Sequence, residues 1–194
     1  VTEPSPGRLF YVMGASGVGK DSLLQFIRQA GDPRRFAVAH RYITRPAKAG
    51  GENHIALSEA EFQARLAAGW FAMHWRSHGL HYAIGREIDA WRRTGVNIIL
   101  NGSREYLAEA LELYPDLVPV LITADPDLIA SRLAARKRES AEQIAERIRH
   151  QIDLSRVTDR LVTIDNSGAL EVAGAALLAL VEQRAQGAAL EPAG

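Results

Sequence analysis

Apolar residues fall into two rhythms along this chain. Short runs rich in β-favouring apolar residues occur at Leu9-Phe10-Tyr11-Val12-Met13, Phe36-Ala37-Val38-Ala39-His40, Val96-Asn97-Ile98-Ile99-Leu100, Leu117 to Thr123 and Arg160-Leu161-Val162-Thr163-Ile164. Their length and near-continuous apolar character predict strands covered on both faces. Between them the spacing widens to a helical period in the stretch from Ser22-Leu23-Leu24-Gln25-Phe26-Ile27, then from Glu59 to Ala68, Glu87 to Thr94 and Arg104 to Leu113. It does so again from Pro126 to about Arg136, from about Ala141 to Arg156, and from Leu170 to Arg184. Stops and starts agree with this division. Gly31-Asp32-Pro33, Gly69, Gly95 and Pro115 interrupt helical runs, as residues that favour turns or cannot continue a helix do. Ser58-Glu59-Ala60-Glu61 reads as a capping box in which Ser58 caps the helix and Glu61 reaches back. Asp125-Pro126 reads as a cap followed by proline at the first helical position.

Two segments break the alternation. Trp70 to Tyr82 is rich in aromatic residues and interrupted at His78-Gly79, which predicts a pair of strands in a small sub-lobe. Arg41 to Glu52 is polar, contains Pro46 and Gly50-Gly51, and reads as a loop with functional content. Strands alternating with helices predict an α/β fold, a parallel sheet sandwiched between helical layers. Residues 1–7 and 186–194 read as flexible tails on one domain spanning residues 8–185, without internal repeats.

Composition narrows the partners. The chain has 194 residues, 47% hydrophobic and 24% charged, which suits one domain with a real core. Lys+Arg and Asp+Glu are 23 each, so no overall field points to nucleic acid or a membrane surface. Cysteine is absent, which excludes disulfides and thiolate metal sites and fits a reducing compartment. No apolar run approaches membrane-spanning length and no apolar signal core opens the chain, so the expected location is the cytoplasm.

Chemistry is concentrated just after the first apolar run, in Gly14-Ala15-Ser16-Gly17-Val18-Gly19-Lys20-Asp21-Ser22. Strand, glycine-rich turn, lysine and helix in that order form a cradle for the phosphates of a nucleotide triphosphate such as ATP. Backbone N–H groups line the cradle, the helix N-terminus adds partial positive charge, and Lys20 adds a full one. The residue after the lysine, often a Ser or Thr that holds Mg²⁺, is here Asp21, with a hydroxyl one place later at Ser22. A carboxylate there can bind Mg²⁺ directly or through water but also repels bare phosphate, and Ser22 can serve phosphate or metal. Both are candidate Mg²⁺ ligands.

A phosphate cradle serves kinases, GTPase switches and motors alike. The chain has no N-K-x-D base-reading motif, and Ile98-Ile99-Leu100 ends in Asn101 rather than in acidic residues. A small-molecule kinase instead needs an anion site for the acceptor and an arginine-bearing lid. Acceptor candidates are Arg41, Arg45 and Lys48, with His54, Arg76, His78 and His81 beyond. Lid candidates are Arg132, Arg136, Arg138, Arg147 and Arg149, interspersed with Glu139, Glu142 and Glu146 that can pair with them. Arg136 and Arg147 are the expected catalytic pair. The histidines lack metal-ligand spacing.

Gly14 to Ser22, Ile43-Thr44-Arg45, His78-Gly79, Asn101-Gly102, Arg132 to Arg136 and Asp165-Asn166 follow the layout of the guanylate kinase family over nearly the whole chain. The guanine-reading positions differ. Arg76 stands where an acidic residue is expected, and His54 and His81 stand where tyrosines are. Arginine offers guanine no acceptor. With Ala39-His40-Arg41-Tyr42-Ile43-Thr44-Arg45, Glu52-Asn53-His54-Ile55-Ala56-Leu57-Ser58-Glu59, Asn101-Gly102-Ser103-Arg104 and Gly19-Lys20-Asp21-Ser22, the chain most resembles the ribose 1,5-bisphosphate phosphokinase family of phosphonate breakdown. The resemblance implies a P-loop NTPase sandwich with a small acceptor-binding sub-lobe over about residues 40–85 and a lid over about 134–147. It implies ATP and Mg²⁺, a sugar bisphosphate acceptor bound by Arg41, Arg45, His54, Arg76 and Asn101, and 5-phosphoribosyl 1-diphosphate as product. Asn166 is then expected near the adenine. A nucleoside monophosphate kinase and a catalytically inactive binding module are the alternatives.

Overall fold

The computed structural model describes residues 5–49, 52, 54–135 and 154–187. Its centre is β1 (Leu9–Met13), every residue of which is fully buried. The chain continues through α1 (Lys20–Ala30), β2 (Phe36–Val38), β3 (Arg41–Ile43), β4 (Ile55–Ala56), α2 (Glu59–Ala67), β5 (Phe71–Ser77), β6 (Leu80–Gly85) and α3 (Glu87–Arg93). It ends with β7 (Asn97–Asn101), α4 (Leu107–Leu113), β8 (Val118–Thr123), α5 (Pro126–Ala135), β9 (Val162–Asp165) and α6 (Leu170–Gly187).

Five strands form a parallel sheet in the order β2-β7-β1-β8-β9. Alternate residues of β1 feed opposite layers. Phe10 and Val12 pack with Leu23 and Ile27 of α1, Ile129 and Leu133 of α5, and Leu177 and Val181 of α6. Leu9, Tyr11 and Met13 pack with Ile88 of α3 and Leu107 and Ala110 of α4. Two-sided burial explains the unbroken apolar run. Each such side chain contributes about 1.5–3 kcal/mol relative to exposure, and Phe10→Ala in this layer costs about 3–5 kcal/mol.

The remaining four strands form a second sheet in the order β4-β3-β6-β5. Met73, Trp75, Tyr82 and Ile84 turn one face of it onto the Leu9–Tyr11–Met13 layer. Phe62 of α2 covers the other face with Phe71 and Ala83. A register shift between Phe71 and Met73 lets the strand serve both layers. The β5–β6 turn places His78 at φ +49° and Gly79 at φ +75°, the left-handed pair that suits a two-residue hairpin.

Several boundaries differ from the sequence expectation. Arg41–Ile43, expected as loop, is a strand because it pairs with β6 in antiparallel register. Ser58 caps α2 by accepting the Glu61 N–H at 3.1 Å, but the Glu61 carboxylate turns to Arg65 Nε at 2.6 Å instead of reaching back. The Asp125 cap holds: its Oδ1 accepts the Asp127 N–H at 2.8 Å. Leu154–Arg156, expected to end a long helix, is a 3-10 turn. The rest of that expected helix, with Arg147 and Arg149, and the stretch before it, with Arg136 and Arg138, lie outside the described residues.

Candidate active site

The carboxyl ends of β1, β7 and β8 meet on one edge of the parallel sheet, where α/β folds place ligands. The turn from Gly14 to Gly19 leaves β1 there and delivers Lys20 to the start of α1. Gly19 has φ +91°, and a Cβ on it would stand 2.4 Å from Asn166 Nδ2, so only glycine fits. Asn166, just past β9, donates from Nδ2 to the Val18 carbonyl at 2.7 Å. Arg132 of α5 donates to the Val18 and Asn166 carbonyls at 3.4 Å each. The cradle is thus braced from behind. Asn166 is 2% exposed, and its Oδ1 has no partner among the described residues.

Lys20 donates from Nζ to the carbonyls of Gly14 at 2.7 Å and Ala15 at 3.2 Å. Burial pushes its pKa down to about 8, partly opposed by the Asp21 carboxylate. The neighbouring Asp21 Oδ1 accepts from Asn101 Nδ2 at 3.3 Å. Asn101 ends β7, is 3% exposed, and keeps an unpartnered Oδ1 among the described residues.

A cavity of about 290 Å³ separates this cradle from the second sheet. Strand alternation turns Arg41, Trp75 and Tyr82 into it. Arg41 pairs through two nitrogens with Glu52 and lies 4.9 Å from the Tyr82 ring centroid. Trp75 stacks on Tyr82, rings 5.7 Å apart and 6° from parallel. Arg45 also lines the cavity, and its Nε is buried without a partner among the described residues. Arg104 joins from the loop after β7. That loop is fixed by Tyr11, whose hydroxyl donates to the Ser103 carbonyl and accepts the Ser103 N–H, both at 2.9 Å. Gly102 rides on the same ring, where a Cβ would come within 2.0 Å of Tyr11 Cζ.

The structure brings Gly14, Ser16, Gly17, Gly19, Lys20, Asp21, Ser22, Arg41, Arg45 and Asn101 around one cavity. It does not bring Arg76 there: beside buried Trp75, residue 76 points to the opposite face of β5, exposed, across from His81. His81 faces α2, with Nε2 3.3 Å from Glu59 Oε1 and its ring 5.2 Å from Phe62. His54 is buried behind Arg45 rather than on the cavity wall, with Nε2 3.1 Å from the Arg45 carbonyl oxygen. Lys48 sits on an exposed 3-10 turn. Glu52, Trp75, Tyr82 and Arg104 line the cavity although the sequence motifs did not single them out as site residues. Arg104 was the most accessible of these to sequence reasoning, since it follows a core strand at its carboxyl end.

The donor set fits ATP with Mg²⁺. Glycines form a cradle that a Cβ would fill, and Lys20 supplies a cation at its mouth. Among the described residues no three His, Cys, Asp or Glu side chains cluster as a cation cage. Asp21, Ser22 and Asn101 Oδ1 are the groups that would hold Mg²⁺ or its waters.

Parallel sheet, glycine-rich cradle, half-buried lysine and an opposing arginine wall define a P-loop kinase. The backbone resembles that of guanylate kinase from Anaplasma phagocytophilum, with TM-score 0.67 at 16% identity over 93% of this chain and 87% of that one. It also resembles a gluconokinase from Sinorhizobium meliloti, with TM-score 0.50 at 20% identity over 95% and 96% of the two chains. No protein-family model matches the chain. The chain is 52% identical to ribose 1,5-bisphosphate phosphokinase of Thiobacillus denitrificans over 91% of its length and 94% of that protein. It is 49% identical to the protein of that name from Psychromonas ingrahamii over 94% and 93%. The chain belongs to the ribose 1,5-bisphosphate phosphokinase family and is a phosphotransferase.

Proposed function

We propose that the enzyme transfers the γ-phosphoryl group of ATP to the 1-phosphate of α-D-ribose 1,5-bisphosphate, giving 5-phospho-α-D-ribose 1-diphosphate in phosphonate degradation. An oxygen of the acceptor 1-phosphate bonds to the γ-phosphorus, the bond from that phosphorus to the β,γ-bridging oxygen breaks, and ADP leaves. The attacking oxygen is already anionic at neutral pH, so no strong general base is needed. The difficulty lies in bringing two polyanions together, which makes charge screening and alignment the main tasks. Backbone N–H groups of residues 15–22 and Lys20 hold the donor phosphates. Mg²⁺, held by Asp21, Ser22 and Asn101 or through water on them, would supply charge neutralisation for the donor phosphates.

The observation that carries this reading is the placement of Arg45, with Arg41 and Arg104, in the wall of the cavity that faces the cradle. Arginine suits an acceptor phosphate because its planar fork can bind two oxygens at once. Arg104 and the Glu52-paired Arg41 line the same cavity. Residues 8–185 act as one kinase domain, with a lid over about 134–147 in which Arg136 and Arg147 close on the transferring group. The reaction belongs to the cytoplasm, where ATP and Mg²⁺ are supplied. A coupled ADP-release assay with ribose 1,5-bisphosphate and GMP as rival acceptors tests the reading: turnover confined to the sugar supports it, and turnover confined to GMP removes it.

A further inference from the structure

His54 spends its polar atoms on protein rather than on the cavity. It is 9% exposed and does not line the cavity wall. Its Nε2 lies 3.1 Å from the Arg45 carbonyl oxygen. That oxygen only accepts, so Nε2 carries a proton. Its Nδ1 lies 3.3 Å from Arg45 Nη2 and 3.1 Å from the Glu52 carbonyl oxygen. A guanidinium only donates and a carbonyl only accepts, so the state of Nδ1 decides which neighbour it holds. A neutral ring protonated on Nε2 takes the guanidinium N–H at Nδ1 and grips Arg45 at both main chain and head group. An imidazolium holds two carbonyls and turns a positive edge toward the guanidinium.

The grip has a consequence for binding. A free arginine side chain carries about 2 kcal/mol of rotamer entropy that an incoming anion must overcome. Clamped by His54, the guanidinium of cavity-lining Arg45 is held in place before any ligand arrives. The segment braces the second arginine as well, since the Glu52 carboxylate pairs with Arg41.

We propose that His54, in contact with Arg45 at both its carbonyl and its Nη2, is a positioning residue that aims Arg45 at a phosphate of the acceptor without touching the acceptor itself. The identity of that acceptor rests on the proposed function; the clamp does not.

A double-mutant cycle tests it. His54→Phe is expected to raise the KM for ribose 1,5-bisphosphate about tenfold, with kcat and the KM for ATP nearly unchanged. In an Arg45→Ala background the same substitution is expected to change that KM by less than about twofold. His54→Asn, whose amide oxygen can take the Arg45 N–H in place of Nδ1, is expected to recover most of the loss. Equal effects in both backgrounds, or an Asn variant no better than Phe, overturn the proposal. The ¹⁵N shifts of the His54 ring in wild-type protein decide independently of turnover and of whether the Phe variant folds. An unprotonated Nδ1 at neutral pH whose shift moves in Arg45→Ala supports the clamp; a protonated Nδ1, or a shift indifferent to Arg45→Ala, overturns it. Should wild-type enzyme leave ribose 1,5-bisphosphate unchanged, the proposed function falls while the ring shifts still decide on the clamp.

Discussion

The ammonium of Lys20 donates to the Gly14 carbonyl at 2.7 Å, closing the mouth of the phosphate cradle on itself. Burial holds its pKa at about 8, against an ordinary 10.5. Between those values the unfolded chain binds a proton that the folded chain does not, so this group makes stability rise with pH across that window. Wild-type protein should gain unfolding midpoint relative to Lys20→Met as pH rises from about 8 toward 10.5. Phosphate oxyanions favour the charged amine, so ATP binding slightly above pH 8 should take up protons. Calorimetry in two buffers of different ionisation enthalpy reads that uptake, and heats independent of buffer would contradict it.

Tyr11 reaches from the central strand to fix the loop that carries Arg104. Tyr11→Phe leaves the Ser103 N–H and carbonyl without their shared partner. The expected cost is about 1–3 kcal/mol of stability, read from the denaturant midpoint. The acceptor KM should rise as well, because the loop after β7 loses its anchor. A variant as stable as wild type would show that solvent replaces the hydroxyl at no cost.

Arg45 and Arg76 separate the inner and outer faces of the second sheet. Arg45→Ala should raise the acceptor KM by about tenfold or more, since a charged hydrogen bond to phosphate is lost. Arg76→Ala should leave it within about twofold, as an exposed residue outside the cavity. Steady-state kinetics at saturating ATP decides, and a larger effect from Arg76 would reverse the assignment of faces.

The proposed lid makes its own demand. Arg136→Ala and Arg147→Ala should each lower kcat by about 10³, the scale of an arginine that acts on the transition state. Single-turnover rates at saturating substrates measure this directly. Full turnover in both variants would remove the lid from the mechanism.

Much of this was legible in the order of residues. Five apolar runs announced the parallel strands, β1 and β7 most plainly because their two-sided burial forbids polar alternation, and Gly14 to Lys20 announced the cradle because its backbone needs glycine. Arg41–Ile43 was not legible as a strand: three residues are too short for a pattern, and pairing with Leu80–Gly85 across intervening chain creates it. Arg76 and His54 matched acceptor positions by motif, yet motif order carries no information about which face of a strand a residue takes. Buried Trp75 beside Arg76 carries it, through the period of two. The pairing of His54 with Arg45 was hidden for a different reason, since it depends on how a loop folds back on a strand end.

The most direct test is ³¹P NMR of a reaction containing ATP, Mg²⁺ and ribose 1,5-bisphosphate. The account predicts ADP together with a new pair of coupled phosphorus signals from a diphosphate on C1, while the 5-phosphate signal persists. Conversion of ATP to ADP and inorganic phosphate with the sugar unchanged, or an untouched sugar beside rapid conversion of GMP to GDP, would contradict it.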